Sequence, residues 1–527
     1  MQRKTSALVW LAGAIAVCGP VQAADIDQAG AEKLKSSLTH YLPKDLAESG
    51  FLTVKPGAGR YEIAVDLMRL IGDKLPADLR ITGLEPFAMS ATPAETDRWK
   101  VDGNGKFDVT AAYKAGETPG TMRYVTDNYD YSGILDPAIS YFRNATFTAS
   151  GIRFSSEQGP ERIEASFDSM NYVMTSADAA GGTLDFKASG AANGFKETVV
   201  TKEAPPVDIS ADSIAFDATI KGLMMREVND LVMFVLDHMK EKQLSAEQQA
   251  ALKDKVLKAL PLAASIDETV RLSNLSVGTP LGPFGFKGVD YGLNMTGLSE
   301  ATRFGISIKA RDPQAPEGLV PAAYAPLMPA ETEVSFSFQN MNLGGFLKEF
   351  IEKADFTKAE PMSDEESAAL AQTIFPEGKV TMNFDRIAAR SDVYDLEMTG
   401  VLKSSVANTS EVSMTATVLA KNFDRTITFV QDAAKADPEL NQLSFGMMMA
   451  KGFAKADPDG TQRWEVVLSE DGSVDINGQQ VKGPDAEEPA EEEVSPDDST
   501  DDQDMTDGED TTEEPDALQN SAPDAQE

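Results

Sequence analysis

Stretches in which every second residue is apolar recur along most of this chain, and that period limits its fold more than any other feature. Tyr61, Ile63, Val65 and Leu67 alternate with Glu62, Ala64 and Asp66, and Phe107, Val109, Ala111 and Tyr113 alternate with Asp108, Thr110 and Ala112. Successive side chains of a strand point to opposite faces, so each stretch makes a strand with one apolar side. The same period returns at Ile163, Ala165, Phe167; at Leu184, Phe186, Ala188; and at Ile214, Phe216, Ala218, Ile220. It continues over Thr269 to Val277 and Phe286 to Met295, then at Phe304, Ile306, Ile308; Val334, Phe336, Phe338; Val380, Met382, Phe384; and Val412, Met414, Ala416, Val418. One buried and one wet face is the mark of antiparallel sheets, because parallel sheets bury both.

Helical segments interrupt the strands. Leu34, Leu38 and Tyr41 predict a helix over Ile26 to Tyr41, ended by Pro43. The clearest helical hairpin spans 223–260. Met224, Val228, Leu231, Val235 and Met239 recur at steps of three and four, a stripe expected to be buried. Ser245 and Gln248 have capping-box spacing for its second helix, and Pro261 stops that helix. Leu343, Phe346, Leu347, Phe350 and Ile351 form a further helix, and Ser363 with Glu366 caps another. A third pair runs from Phe423 to Phe453, split at Asp437-Pro438. The body closes on a hairpin turning at Asp471-Gly472, where glycine supplies a positive φ. The unequal spacing of the helix pairs argues against a solenoid.

Arg3 and Lys4, an apolar run from Ala7 to Cys18 and small or apolar residues at Val21 and Ala23 predict a secretory signal over 1–23 and a periplasmic mature chain. Lipidation of Cys18 is the alternative, and Val17 before it argues against that. Cleavage after Ala23 removes the only cysteine. No later segment approaches the roughly 20 apolar residues of a membrane helix, so the mature chain has no expected transmembrane span. The formal charge is −38, and residues 484–527 hold 19 acidic residues with no Lys or Arg. A body and a tail of one negative sign exclude nucleic acid as a partner. The expected organisation is a signal peptide over 1–23, a β-rich part over 24–222, the hairpin over 223–260, a second β-rich part with two helical segments over 261–483, and a disordered acidic tail over 484–527.

Candidate chemistry is sparse. His40 and His238 are the two histidines, and His238 falls at the edge of an apolar helix stripe, where a structural role is the expectation. Asp102-Gly103-Asn104-Gly105 opens like a calcium loop, but Lys106 and the lack of a distal glutamate leave a hairpin turn as the expected reading. There is no phosphate-binding glycine loop, no nucleophile elbow and no zinc motif, so no catalytic residue, cofactor or metal is expected. What remains is the apolar face of Phe304, Ile306, Ile308, Val334, Phe336 and Phe338. Alternation does not say whether helices seal it as a core or leave it as a groove for an acyl chain, and the supply of amphipathic helix points to a sealed core.

From Gly452-Phe453-Ala454-Lys455, through Arg463-Trp464-Glu465-Val466-Val467-Leu468, to Asp471-Gly472-Ser473-Val474-Asp475-Ile476-Asn477-Gly478, the chain resembles bacterial envelope proteins of the AsmA-like and YdgA-like type. It is most similar to an alphaproteobacterial periplasmic family of unknown function. The resemblance implies an α+β fold, long curled antiparallel sheets with amphipathic helical hairpins packed on one face, and roles in envelope or lipid homeostasis. It carries no catalytic residue. AsmA-like proteins usually keep a membrane anchor, which a cleavable signal would remove. The expectation is a non-enzymatic binding or assembly protein whose partner is a lipid or an envelope protein. The alternatives are an interaction protein acting through its acidic tail and, third, a carboxylate-based hydrolase.

Overall fold

The computed structural model describes residues 26–484, apart from 40–41, 43–46, 73–74, 95–97, 140, 239–240 and 409. The expected signal peptide with Cys18, His40, Met239 and the acidic tail lie outside the described residues.

One large antiparallel sheet takes up most of the described chain. Its first strands are β1 (Leu52–Pro56), β2 (Tyr61–Val65), β3 (Arg80–Thr82) and β4 (Phe87–Pro93). Long strands follow: β5 (Trp99–Ala115), β6 (Thr118–Asp136), β7 (Tyr141–Gln158), β8 (Glu161–Asp178), β9 (Leu184–Val200) and β10 (Val207–Leu223). After a helical insertion come β11 (Ser265–Thr279), β12 (Gly282–Thr296), β13 (Thr302–Gln314) and β14 (Glu331–Met341). The series ends with β15 (Lys379–Arg390), β16 (Asp395–Ser405), β17 (Val412–Lys421), β18 (Lys455–Ala456), β19 (Gln462–Leu468), β20 (Val474–Ile476) and β21 (Gln479–Lys482). From β5 to β17 each strand pairs antiparallel with the next, since short connections favour sequential neighbours. β10 pairs directly with β11, so the parts before and after the helical hairpin share this sheet.

The 102–105 segment corrects an expectation. It is neither a turn nor a calcium loop but the middle of β5, with Gly103 opposite Tyr131 and Gly105 opposite Tyr129. A Cβ at Gly103 would lie 2.3 Å from the Tyr131 ring and one at Gly105 would lie 2.6 Å from the Tyr129 hydroxyl. A side chain at either position would collide with the tyrosine opposite it, so the glycines leave room for the two rings.

Helix Gln28–Thr39 places Ala31, Leu34 and Leu38 in a buried cluster with Tyr61, Ile63, Trp99, Val101 and Leu135. Far along the sheet, Phe423 and Ile427 of helix Phe423–Ala433 pack with Ala420 and Trp464, and Met447 and Phe453 of helix Leu440–Phe453 close on the same cluster. Between these ends, helices Met225–His238 and Ala246–Ala259 occupy the β10–β11 connection, and Leu343–Lys353 and Asp364–Gln372 occupy β14–β15. Both expected capping boxes form, at Ser245 with Gln248 and at Ser363 with Glu366. The two insertions bond to each other, with Leu244 N–H donating to Phe356 O at 2.9 Å and Lys253 Nζ to Glu352 O at 2.8 Å. The first hairpin helix is turned from the expected stripe. Met233 and Phe234 are buried, whereas Val235 is 51% exposed. The closing hairpin turns at Gly472 as expected and turns again at Asn477-Gly478, where both residues have positive φ.

A single transverse row distinguishes β6 to β13. On β7 the apolar positions are Phe147 and Ala149, then Ile152 and Phe154, so the period of two slips by one residue at Gly151. The same slip separates Phe167 from Met170 on β8, Ala192 from Phe195 on β9, Ala211 from Ile214 on β10, and Leu272 from Leu275 on β11. The registers place the slip residues opposite one another, in the order Asp127, Gly151, Asp168, Gly194, Asp212, Asn274, Lys287 and Asp312. Every second one has positive φ: Gly151 61°, Gly194 67°, Asn274 51° and Asp312 46°. Each strand therefore carries an extra residue of the kind found in a bulge, which bends a strand and increases its twist. Because neighbours share it, their pairing stays in step. At the level of the row the register shifts where the row ends, between β5 and β6, at Gly105/Phe107. Tyr129 and Ala149 on one side of the row are buried with Ile152 on the other, and the Phe107 and Tyr129 rings stack with centroids 4.8 Å apart. The extra residue thus keeps the apolar side chains of both halves on one face.

Candidate binding face of the sheet

The six apolar residues singled out from the sequence come together. Phe304 pairs with Phe338, Ile306 with Phe336 and Ile308 with Val334, and directly opposed side chains share a face. Phe336 and Phe338 meet edge to face with ring centroids 6.1 Å apart. The block extends through Met295, Leu293 and Tyr291 on β12 and through Met382 and Phe384 on β15.

Burial of this face is incomplete where a sealed core was expected. None of the six residues is buried, and Ile308 and Val334 are 48% and 44% exposed. The same holds on this face for Ile214, Phe216 and Ile220 of β10, Val270 and Leu272 of β11, and Met398 and Leu402 of β16, all partly exposed. A side chain in a sheet is covered by its neighbours only along its flanks, and full burial needs a second layer over its tip. The buried clusters lie toward the two ends of the series and at the slip row, and the side chains in the middle of the face stay partly exposed.

The two faces differ in charge. On the polar face, ion pairs cross from strand to strand: Arg123 with Asp108, Arg153 with Asp127, Arg271 with Asp217, Arg311 with Asp290, and Arg386 with Glu333 and Glu397. Arg311 makes a two-pronged contact at 2.6 and 2.8 Å and holds the Asp290 carboxyl below its ordinary range. A recess of about 400 Å³ lies on this polar side, lined by Arg123, Arg153, Glu164 and Lys196. Its guanidinium groups are already bonded to Asp108 and Asp127, so they are not free to hold an anion.

On the apolar face, the strand interiors from β5 to β17 carry two charged residues, Glu197 and Glu268, by the registers. Reading the sequence for apolar runs passed over both. Their signal is an acid in the apolar phase of a strand: Glu268 stands between Ile266 and Val270, and Glu197 between Phe195 and Val199.

Near the start of the sheet, Asp136 is buried and accepts from Arg143 at 2.7 Å, Arg98 at 2.9 Å and the Ala138 N–H at 2.9 Å. Burial alone would raise its carboxyl, but these donors together hold it below the usual range. Burial pushes the Tyr131 phenol upward, so it stays protonated. His238 Nδ1 lies 2.7 Å from Phe234 O and its ring stacks on the Phe234 ring, contacts that anchor a helix end. Among the described residues, no group of three or more His, Cys, Asp or Glu is arranged to hold a metal, and no helix is long and apolar enough to cross a membrane.

Comparison with known proteins found no match: no family model, curated protein or solved structure is similar to this chain.

Proposed function

We propose that this is a non-enzymatic protein of the bacterial periplasm that binds the apolar chains of lipids or lipid-modified envelope components along the open face of its sheet. In this reading the sheet is curled along the slip row toward its apolar side, and the helix pairs pack at that side's margins. The protein is then similar in kind to AsmA-like and YdgA-like envelope proteins. One observation carries the reading: an apolar face continuous over β10 to β16 on which none of the six candidate side chains is buried. Open apolar surface of this extent is costly in water and marks a site for an apolar partner. Covering it with a ligand recovers about 25 cal/mol per Å² of apolar area.

Mass spectrometry under native conditions, on protein purified from periplasm without detergent, tests the proposal. Co-purifying lipid that Phe336→Asp removes supports it. Protein that emerges empty and binds no uncharged fluorescent amphiphile refutes it.

A further inference from the structure

Glu268 stands alone on the candidate face. It is exposed, its strand neighbours on that face are Ile266 and Val270, and the residues opposite it are Leu293 on β12 and Ala218 on β10. Among the described residues it makes no ion pair and no side-chain hydrogen bond. On the other face of the same strand, Arg271 is paired with Asp217, so the sheet does supply partners where charges are structural.

The registers place Glu268 in one transverse row with the apolar block, running Phe384, Phe336, Ile306, Leu293, Glu268, Ala218. At about 4.8 Å per strand, Phe336 lies roughly 14 Å from Glu268 along the row and Phe384 roughly 19 Å. An alkyl chain lying over Leu293, Ile306 and Phe336 would therefore bring its polar end to the carboxylate. That chain would also remove water from the carboxylate, and a desolvated charge is costly unless an opposite charge meets it. An anionic end would meet repulsion as well.

We propose that Glu268 is a specificity-determining residue that selects amphiphiles bearing a protonated amine at the head of the alkyl chain. This rests on the binding-face reading above. The amine donates to the carboxylate while the chain covers the row toward Phe384, and amphiphiles whose only charge is negative are disfavoured.

The test uses three probes of equal chain length below their micelle concentrations: dodecylammonium, dodecanoate and the neutral dodecyl maltoside. Each is titrated calorimetrically into the full chain at low and moderate salt. The expected result is a preference of at least tenfold for dodecylammonium over dodecanoate, abolished by Glu268→Gln and reversed by Glu268→Lys. Dodecyl maltoside should bind all three forms alike. Glu247→Gln, which removes an exposed carboxylate from helix Ala246–Ala259, controls for the net negative charge and should keep the preference. Equal loss in Glu247→Gln and Glu268→Gln, or a preference that survives Glu268→Gln, overturns this inference and leaves the binding face standing if dodecyl maltoside binds. No binding of any probe, the neutral one included, overturns the binding face and this inference with it.

Discussion

Replacing Gly194 tests the slip row directly. Its φ of 67° lies in the left-handed region, where an L-residue with a Cβ costs about 1–2 kcal/mol. A Cβ there would stand 2.1 Å from Asp168 Oδ2, closer than any contact allows. Asp168 is exposed on the neighbouring strand, so it can rotate aside at small cost, and the backbone penalty dominates. Gly194→Ala should therefore destabilise by about 2 kcal/mol, and Gly194→Val by about 3 kcal/mol because a β-branched residue fits this region worst. Gly194→Asn should cost less than alanine, since Asn274 already holds φ 51° two strands away in the same row. Deleting Gly194 should be worse than any substitution. It would turn Phe195, Glu197 and Val199 onto the opposite face while β8 and β10 stay in phase. Equilibrium urea unfolding gives the ranking from midpoints at unchanged slope. Alanine and asparagine costing the same, or a deletion no worse than alanine, would refute the assignment of these residues to a shared bulge.

Four further outcomes follow from particular contacts. Phe336→Ala should lower stability by only about 1 kcal/mol, because its ring is partly exposed, while Trp464→Ala should cost about 3–5 kcal/mol through a cavity and the lost Nε1 bond to Ala450 O; paired urea melts decide, and equal losses would show that the face is covered. The lowered folded-state carboxyl of Asp136 contributes stability that is present above the unfolded value near pH 4 and is lost as pH falls through the folded value, so Asp136→Asn should flatten the acid limb of a stability profile measured from about pH 6 to pH 2. Asp136→Asn should also cost about 3 kcal/mol at pH 7 by leaving Arg98 and Arg143 short of a charge, measurable as a lower melting temperature. Ser363→Ala removes the hydroxyl that accepts from Glu366 N–H at 3.2 Å and should cost about 1 kcal/mol, read by the same melts.

Much of this molecule was legible before any coordinates. Alternation at Phe304, Ile306, Ile308 and at Val334, Phe336, Phe338 named two strands and their apolar side, because successive side chains of an extended chain must take opposite faces. The capping boxes at Ser245 and Ser363 were equally plain, since a cap is made between residues three apart. Strand length was not legible. Ile163 to Phe167 and Ile214 to Ile220 each mark about half of a strand, because the slip at Asp168 and Asp212 breaks the period that defines a strand in sequence. The glycines at 103 and 105 read as a turn because their partners, Tyr131 and Tyr129, lie on another strand.

Sequence alone therefore determined what most segments are and, for the strands, which side avoids water, since both depend on residues a few positions apart. Whether that side is covered was decided only by the tertiary structure. Burial of Phe336 or Ile308 depends on what lies across from the face, and the helices at 28–39 and 423–453 pack toward the ends of the strand series while these side chains stay partly exposed. Glu268 shows the same division. It is one acid among many in the sequence, and it becomes distinctive only when pairing of β10, β11 and β12 surrounds it with Ala218, Ile266, Val270 and Leu293, because a charge acquires its meaning from neighbours that the chain brings in from far away.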